Sequence, residues 1–461
     1  MVKMKNKQKT DISVMMKNIK RREFIKSSSL FLSAMSISSI SAKNILGANE
    51  RVQIALIGCG GRGRYVARGL IEQGAELIYL CDLHEERLDK AEVFLSEVQK
   101  RKPIRTKDMN TVFESKDVDA IIVATPDHWH ALASVMAIKA GKDVYVEKPH
   151  SYSIWESQKM IEAAEKYNRI IQVGTQNRSA PYIYEALEYV NSGKLGKIGL
   201  VKVYNLKPGN EFRLGKPAPI PKGFNWDKWL GPAPFRPYHQ NIFKHGWHQF
   251  WDYSGGDMAN DGIHQLDLAL MLMGDPGLPS RVMCMADRKV FRDDREVPDV
   301  QIASFDFNDF IMTFELTNYP RYMQKTTATI RRNDILPYWT QNATRIELYG
   351  SDLMMIVGRH GGGWQVTTSG GKVVDQMYGR PPDEHHYKNF LESIKNRKKP
   401  NAYISIAHYA CTMVHMANIA HRIGNQSLKF DVKKQRFIQN EEANKLITRK
   451  YREGYELPDK I

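Results

Sequence analysis

Residues 51–63 read RVQIALIGCGGRG, and the fold of the chain is organised around this stretch. The apolar run 52–57 is long enough for one buried strand, and it leads directly into a turn that fits the pattern G-x-G-x-x-G. An amphipathic stretch follows, and a second strand-like run then ends in Asp82, 24 residues after Gly58. This order of strand, glycine turn, helix, strand and acid predicts a βαβ unit that binds a dinucleotide.

The glycines of the pattern and the acid each have a separate function in such a site. Gly58 permits the tight turn, Gly60 lets the backbone approach a pyrophosphate, and Gly63 lets the helix pack on the strand. The first turn of the helix offers free N–H groups to the phosphates. Asp82 is expected to accept hydrogen bonds from the adenosine ribose, which predicts NAD because a carboxylate there would repel a 2′-phosphate.

The composition argues against a nucleic-acid partner. The 461 residues carry a formal net charge of +16, but residues 1–42 account for +7 of it, from nine Lys or Arg and two acids. The +9 that remains is spread along the sequence without a basic block. The four cysteines form no C-x-x-C pair, and the His and Asp residues show no tight metal spacing, so we predict neither a disulfide framework nor a metal site.

The N-terminal segment is predicted to be a targeting signal rather than part of the fold. Residues 20–26 read KRREFIK and resemble a bacterial twin-arginine signal. The Ser-rich stretch 27–42 is short and polar for a membrane span. Residues 1–42 therefore predict export of the folded protein to the periplasm, without stable membrane insertion. The alternative is a basic tail on a cytoplasmic protein.

The rest of the chain divides into two predicted domains and a tail. Residues 50–172 alternate between strand-like and helical patterns, which predicts an α/β domain with a doubly wound parallel sheet. Residues 173–440 predict an α+β domain with a large, mostly antiparallel sheet, and residues 441–461 a C-terminal tail. An aromatic, Pro-rich insertion at 217–251 is too long for a simple connection and is typical of a binding loop.

Four motifs together resemble one known family. They are Gly58-x-Gly60-x-x-Gly63, Ala124-Thr125-Pro126 with His130, Glu147-Lys148-Pro149, and GGDMANDGIHQLD at residues 255–267. The chain resembles the glucose–fructose oxidoreductase, inositol dehydrogenase and rhizopine-catabolism family (Gfo/Idh/MocA) over nearly everything after the signal. The resemblance implies a Rossmann domain with a nicotinamide cofactor and a sugar-like substrate between the domains. It also implies a C-terminal sheet that supports a homo-oligomer, a dimer or a tetramer.

The glycine turn and the matched motifs supply a predicted cofactor site. NAD is the expected cofactor, and NADP is the alternative because Arg87 and His84 lie close to Asp82 in the sequence. The residues assigned to the cofactor are Gly58, Gly60, Gly61, Arg62, Gly63, Asp82, Thr125, Pro126, His130, Glu147, Lys148 and Gln176.

The predicted catalytic residues follow from the chemistry of alcohol oxidation, which requires a base for the hydroxyl proton and an acceptor for hydride. Lys148 follows a parallel strand at the edge where ligands bind in this architecture, so its ammonium is expected to hold or polarise the reacting oxygen. His264 is a suitable general base. Asn260 and Asp261 precede it by four and three residues, so an α-helix would place all three on one face.

One departure from the family pattern affects this assignment. The family usually has an Asp four residues before this histidine, whereas this chain has Asn260, which cannot ionise, and the acid stands at Asp261. The proton relay is therefore not carried over unchanged. The alternative is a structural, buried His264 that is hydrogen-bonded to Asp267 or Asp261.

Weaker candidates for contact with a sugar lie elsewhere in the second domain. Polar side chains after a strand are suited to binding hydroxyls, and indoles to stacking on sugar rings. These candidates are Gln176, Asn177, Arg178, Trp247, His248, His386 and Asn389.

Three functions fit these observations. The leading interpretation is an oxidoreductase that acts on a ring hydroxyl of a sugar or glycoside, such as a glycoside 3-dehydrogenase, with a tightly bound cofactor. The second is a glycosidase that uses bound NAD for a transient C3 oxidation followed by elimination, which needs no pair of catalytic carboxylates. The third is a non-catalytic nucleotide- or sugar-binding protein.

Overall fold

The computed structural model describes residues 51–461. The predicted signal segment, residues 1–42, lies outside the described residues. Within residues 51–461, no helix is both long and apolar enough to cross a membrane.

The N-terminal domain contains a six-stranded sheet in which every neighbouring pair is parallel. Its spatial order is β3-β2-β1-β4-β5-β6. The strands are β1 (Gln53–Ile57), β2 (Glu76–Cys81), β3 (Ile104–Thr106), β4 (Ala120–Val123), β5 (Asp143–Val146) and β6 (Ile171–Val173). The order reverses on either side of β1, so this is the predicted doubly wound sheet.

Helices connect these strands and cover both faces of the sheet. They are α1 (Gly61–Glu72), α2 (Glu85–Ser96), α3 (Met109–Glu114), α4 (Asp127–Lys139) and α5 (Ile154–Lys166). Successive residues of β1 alternate between two buried clusters: Ala55 and Ile57 belong to one, and Ile54 and Leu56 to the other. Because side chains of a strand point alternately to its two faces, a continuous apolar run is what a sheet covered on both faces requires.

The C-terminal domain is built on a ten-stranded sheet of order β14-β13-β12-β11-β7-β10-β9-β8-β15-β16. Neighbouring strands are antiparallel except β7 and β10, which are parallel with Met312 opposite Val201. The strands are β7 (Ile198–Leu206), β8 (Arg281–Asp287), β9 (Val300–Asp306), β10 (Ile311–Thr317), β11 (Arg345–Gly350), β12 (Met354–Gly358), β13 (Trp364–Thr367), β14 (Val373–Met377), β15 (Ser427–Asp431) and β16 (Arg436–Phe437). The mostly antiparallel sheet is the one predicted.

Several helices of this domain bury side chains against one face of the large sheet. Exposure alternates along β8, so only one side of that strand is buried. The helices are α6 (Pro181–Asn191), α7 (Trp226–Leu230), α8 (Gln240–Lys244), α9 (Ile263–Leu272), α10 (Ala328–Arg332), α11 (Asp383–Asn396), α12 (Ile404–Arg422) and α13 (Glu441–Lys445). A π-helical turn, Met258–Gly262, leads directly into α9.

The aromatic insertion at 217–251 folds around a small core of its own. Trp226 and Trp229 are stacked inside it, with ring centroids 4.4 Å apart and an interplanar angle of 12°. These two indoles are therefore packing residues, whereas Trp247 is only partly buried.

The chain returns to the first domain after the large sheet. Tyr387 and Phe390 of α11 join one core of the parallel sheet, and Ile404 and Ala407 of α12 join the other. Residues 383–407, predicted within the second domain, thus complete the first. The two domains consequently share hydrophobic cores. These shared cores fix the carboxyl edge of the parallel sheet relative to the second domain.

The segment 441–461, predicted as a tail, also packs on the first domain. Leu457 and Ile461 are buried in its core. The fully buried Glu156 accepts hydrogen bonds from Tyr451 Oη at 2.8 Å and pairs with Arg449 Nη2 at 2.5 Å. Since an ionised carboxylate is costly to bury alone, this pair anchors the C-terminus.

Replacing Arg449 should therefore destabilise the protein. We expect Arg449→Ala to lower the free energy of unfolding by about 3–5 kcal/mol, because Glu156 is left buried and unpaired. Arg436→Ala is the control, because Arg436 is 60% exposed and 3.9 Å from Glu441, and it should cost about 1 kcal/mol or less. Urea unfolding measures both; equal midpoints would show that the pair does not anchor the tail.

Candidate functional site

A cleft of about 880 Å³ lies at the carboxyl ends of the parallel strands and is lined by both domains. It brings together most of the predicted site residues. Those that line it are Gly60, Gly61, Arg62, Thr125, Pro126, His130, Glu147, Lys148, Gln176, Asn260, Asp261 and His264. Gly58 and Asp82 line an adjoining cavity of about 60 Å³ that shares Thr125 and Pro126 with the cleft.

The glycine turn has the geometry that a pyrophosphate needs. Gly58 has φ +94°, and a Cβ there would lie 2.5 Å from the Ala124 carbonyl oxygen. A Cβ at Gly63 would lie 2.1 Å from the Gly58 carbonyl oxygen. At Gly60 and Gly61, where α1 begins, a Cβ would meet nothing within 4 Å. The turn is therefore tightly packed at Gly58 and Gly63 and open to the cleft at Gly60 and Gly61. This arrangement leaves room for a pyrophosphate at the N-terminus of α1.

Asp82 has a structural function in the glycine turn. Its carboxylate accepts hydrogen bonds from the Cys59 N–H at 2.8 Å and from the His84 N–H at 2.9 Å, so it fixes the glycine turn. A carboxylate offers about four acceptor positions, which leaves capacity for ribose hydroxyls. Arg87 lies over the Phe243 ring, 4.3 Å from its centroid, and lines the cleft.

Two sets of contacts hold the motifs of the first domain together. Arg62 Nε donates to Glu147 Oε1 at 2.8 Å, which links the glycine turn to the end of β5. The His130 ring lies between two backbone carbonyls, with Nδ1 2.7 Å from Pro149 O and Nε2 2.8 Å from Thr125 O. Burial lowers the pKa of His130. These contacts fix the backbone on both sides of Lys148.

Lys148 reaches across the cleft to the second domain. Its Nζ donates to the backbone carbonyl of Asn260 and to Asn260 Oδ1, the latter at 3.1 Å. Asn260 is in turn held by Asp257, whose Oδ1 accepts from its Nδ2 at 3.3 Å. Burial lowers the pKa of Lys148, although Asp127 opposes the shift. The uncharged Asn260 thus fixes the direction of the Lys148 ammonium group.

His264 faces the same space as a neutral imidazole. It is 5% exposed, and its Nδ1 has no hydrogen-bond partner among residues 51–461. Burial, together with the charges of Arg359 and Lys148, holds its pKa well below the usual range. Asp267, one of the two partners considered for a structural histidine, is instead paired with Arg178 at 2.8 Å.

The predicted α-helical face of Asn260, Asp261 and His264 is not formed. Residues 258–262 make a π-helical turn, whose wider spacing separates side chains that three- or four-residue steps would align. Asn260 contacts Lys148, whereas Asp261 is directed to a group of cations. The three residues still share the cleft, but the alignment along one α-helical face was wrong.

Asp261 is surrounded by three cations that no motif in the sequence indicated. Its Oδ2 is 3.1 Å from Lys207 Nζ and 2.5 Å from Lys325 Nζ, and its Oδ1 is 3.4 Å from Arg359 Nη1. Although burial favours the neutral form, the charges of Lys207, Arg359 and Lys325 hold the pKa of Asp261 well below its usual range. Because Asp261 is held in its ionised form, it is poorly suited to accept a proton from His264.

Asp127 is a further residue of the cleft, and it lies outside the predicted set. It is 2% exposed, begins α4, and its Oδ2 accepts a hydrogen bond from Ser254 Oγ at 2.6 Å. Burial raises its pKa to about 7, against the opposing charge of Lys148. An acid directly after the Thr125-Pro126 turn, at the carboxyl edge of a parallel sheet, was the available signal.

The weaker candidates divide between cleft and core. Trp247 and His248 line the cleft with their rings stacked, centroids 3.5 Å apart. Gln176 lines it and donates to Tyr145 Oη at 3.2 Å. The others make packing contacts: Asn177 with Tyr182 and the Arg359 carbonyl, Arg178 with Asp267 and Asp275, His386 with Ser179 and the Val173 carbonyl, and Asn389 with the Asn401 N–H. In the part of the chain that the structure describes, no group of three His, Cys, Asp or Glu is arranged for a metal.

Comparison with known protein families matches both domains. The N-terminal model, described as an oxidoreductase family with an NAD-binding Rossmann fold, covers residues 52–175. The C-terminal α/β domain model of the same family covers residues 208–301 and 347–457. Together these models span well over half of the chain.

Individual relatives share parts of the sequence. scyllo-Inositol 2-dehydrogenase (NAD(+)) of Bacillus subtilis is 29% identical over 227 residues, 49% of this chain and 55% of that protein. Glycosyl hydrolase family 109 protein 1 of Akkermansia muciniphila is 30% identical over 155 residues, 32% of each chain. The matched region thus spans about half or less of these relatives' length. The structure of levoglucosan dehydrogenase, in complex with NADH and levoglucosan, shares the fold with a TM-score of 0.61 and 16% identity, over 82% of this chain and 99% of that one.

The position of Asp82 predicts the nucleotide preference. We expect nucleotide released by denaturing the protein to be NAD rather than NADP, by mass analysis. In nucleotide-free protein, Asp82→Asn should weaken NAD binding by about tenfold and reduce its advantage over NADP, because a charge-assisted acceptor is lost. Arg87→Gln is the control, and it should leave NAD binding nearly unchanged. Tighter binding of NADP than NAD to the unaltered protein would contradict this assignment.

Proposed function

We propose, from the premise that the chain belongs to the Gfo/Idh/MocA family of oxidoreductases with an NAD-binding Rossmann domain, that it oxidises a ring hydroxyl of a sugar or glycoside. The observation that carries this proposal is the convergence of Lys148 and a neutral His264 on the cleft that the glycine turn opens into. The names of the relatives support a sugar-like substrate: one is an inositol dehydrogenase and another a glycosyl hydrolase.

The side chains divide the work of alcohol oxidation between them. When bound, NAD supplies the hydride acceptor, and the hydroxyl proton must then pass to a protein base. His264 has the neutral form that a base requires, and it lines the cleft. Lys148 donates to the reacting oxygen and stabilises negative charge as the proton leaves. Asn260 aims the ammonium without adding a charge.

A second candidate is a glycosidase that begins with the same oxidation. After transient oxidation at C3, the adjacent C–H is acidic, and loss of that proton expels the group at C1. The buried Asp127, with a pKa of about 7, favours this candidate because a protonated carboxyl in the cleft can donate to the leaving oxygen. The match to a family 109 glycosyl hydrolase supports it as well.

The N-terminal segment adds a proposal about location and cofactor handling. If residues 1–42 direct folded export to the periplasm, the nucleotide is acquired before export and kept through catalysis. Hydride must then return to a second substrate or to the sugar intermediate in the same cleft. The shared cores between the domains support this, since a fixed cleft wall retains a ligand better than separate domains would.

Product analysis of the full chain tests the proposed function. Protein purified and dialysed without added nucleotide is incubated with sugars and aryl glycosides, and the products are identified by mass spectrometry. A ketosugar supports the oxidoreductase, and free aglycone the glycosidase. Binding without either product would establish a non-catalytic binding protein, and a requirement for excess free NAD would contradict cofactor retention.

Two substitutions identify the residues responsible. Lys148→Ala and His264→Ala should each lower turnover by roughly 10²–10⁴-fold, because each removes one group that acts on the hydroxyl. The bound nucleotide should be retained. Lys372→Ala, at an exposed site in the β13–β14 turn, is the control. Unaltered turnover in folded His264→Ala would assign His264 a structural function.

The pH dependence reports on Asp127. With a pKa of about 7, its carboxyl is neutral below that pH and ionised above it. The ionised form favours the ammonium of Lys148, so sugar oxidation should accelerate as pH rises through 7, and Asp127→Asn should remove this inflection. Aglycone release that requires protonated Asp127 would instead slow over the same range. An inflection that persists in Asp127→Asn would exclude Asp127 as its source.

A further inference from the structure

The wall of the cleft contributed by the second domain carries more positive charge than its acids neutralise. We call Lys207, Lys325 and Arg359 the cationic wall; all three line the cleft. Two carboxylates face them: Asp261, which contacts all three, and Asp257, whose Oδ1 is 2.6 Å from Lys207 Nζ. Three cations thus face two carboxylates, which leaves one excess positive charge. This wall of the cleft is partly desolvated, so charges interact strongly there.

Arg359 retains unused hydrogen-bonding capacity in this wall. The residue is 9% exposed, and its Nε has no hydrogen-bond partner among residues 51–461. Its Nη1 contacts His360 Nε2 and Asp261. Arg359 therefore contributes a buried guanidinium charge to the wall, and only part of its hydrogen-bonding capacity is satisfied within residues 51–461.

Lys325 is the most accessible member of the wall. Its side chain is 36% exposed, compared with 16% for Lys207 and 10% for Arg359. Burial lowers its pKa, Asp261 opposes the shift, and the charges of Lys207 and Arg359 add to it. A second anion beside Asp261 would relieve this repulsion between cations.

Backbone contacts hold two members of the wall, Lys207 and Arg359, in place before any ligand arrives. The Lys207 N–H donates to the Thr317 carbonyl at 3.1 Å, and the Arg359 N–H to the Thr344 carbonyl at 3.1 Å. Asn177 Nδ2 donates to the Arg359 carbonyl at 2.6 Å. Since these positions are fixed by the fold, little conformational entropy is lost when an anion binds.

We infer that the cationic wall binds a carboxylate substituent of the sugar, so that the preferred substrates are uronic acids or glycosides of uronic acids. The inference rests on the proposed function for the identity of the ligand as a sugar. A guanidinium fork beside two ammonium groups suits a planar carboxylate, and a neutral sugar would leave the excess charge without a partner.

Binding measurements test this separately from turnover. The full chain with its retained nucleotide is titrated calorimetrically with glucuronate, galacturonate and mannuronate, each compared with its neutral hexose. We expect at least one uronate to bind about tenfold or more tightly than its hexose. Its advantage should shrink as the salt concentration rises, because salt screens the exposed part of the wall.

A substitution at the accessible end of the wall completes the test. Lys325→Gln should weaken uronate binding by about tenfold and leave the neutral hexose nearly unchanged, whereas Lys372→Gln, the exposed control, should change neither. The inference is overturned if no uronate exceeds its hexose, if Lys325→Gln affects both sugars equally, or if glucose 6-phosphate or 6-sulfate binds more tightly than every uronate. Absence of any ketosugar or aglycone would refute the proposed function while leaving the binding preference intact.

Discussion

The contact between Lys148 and Asn260 joins the two domains at the place where chemistry is expected, and the surrounding structure maintains it. The backbone next to Lys148 is fixed, because the His130 ring is hydrogen-bonded to the Pro149 and Thr125 carbonyls. Asn260 is fixed by the π-helical turn before α9. The contact needs a constant distance between the domains, and the shared cores supply it, since α11 and α12 pack on the parallel sheet. The geometry of the cleft therefore depends on the packing of residues 383–407 against the first domain.

Sequence patterns predicted the parallel sheet well because its signals are local. The strand-like run that leads to Asp82 is the strand Glu76–Cys81, and the amphipathic stretch after the glycine turn is the helix Gly61–Glu72. The edge strand Ile104–Thr106 is only three residues long and partly exposed, so it carries no apolar run. The packing of residues 383–407 and 441–461 on the first domain depends on contacts more than 200 residues apart, which no local period encodes.

The site was predictable where motifs end strands and not where tertiary contacts assemble charges. The glycine turn, Glu147 and Lys148 all follow parallel strands, and they meet because the carboxyl ends of those strands meet. Lys207, Lys325 and Arg359 come from three distant segments and converge only when the large sheet forms. The face shared by Asn260, Asp261 and His264 was mispredicted because a π-turn has no distinctive sequence period.

The charges around the cleft divide it into two functional parts. Asp261 is held ionised by the cationic wall, so it acts as a fixed counter-charge and does not exchange protons with His264. Asn260, standing where the family usually has an acid, cannot pair with Lys148 as an ion, and so burial can depress the pKa of that lysine. A carboxylate at position 260 would stabilise the ammonium of Lys148 and oppose this shift, whereas the uncharged amide of Asn260 does not. With Asn rather than Asp at position 260, the Lys148 ammonium is held by hydrogen bonds alone, and the acids of the second domain balance its cations.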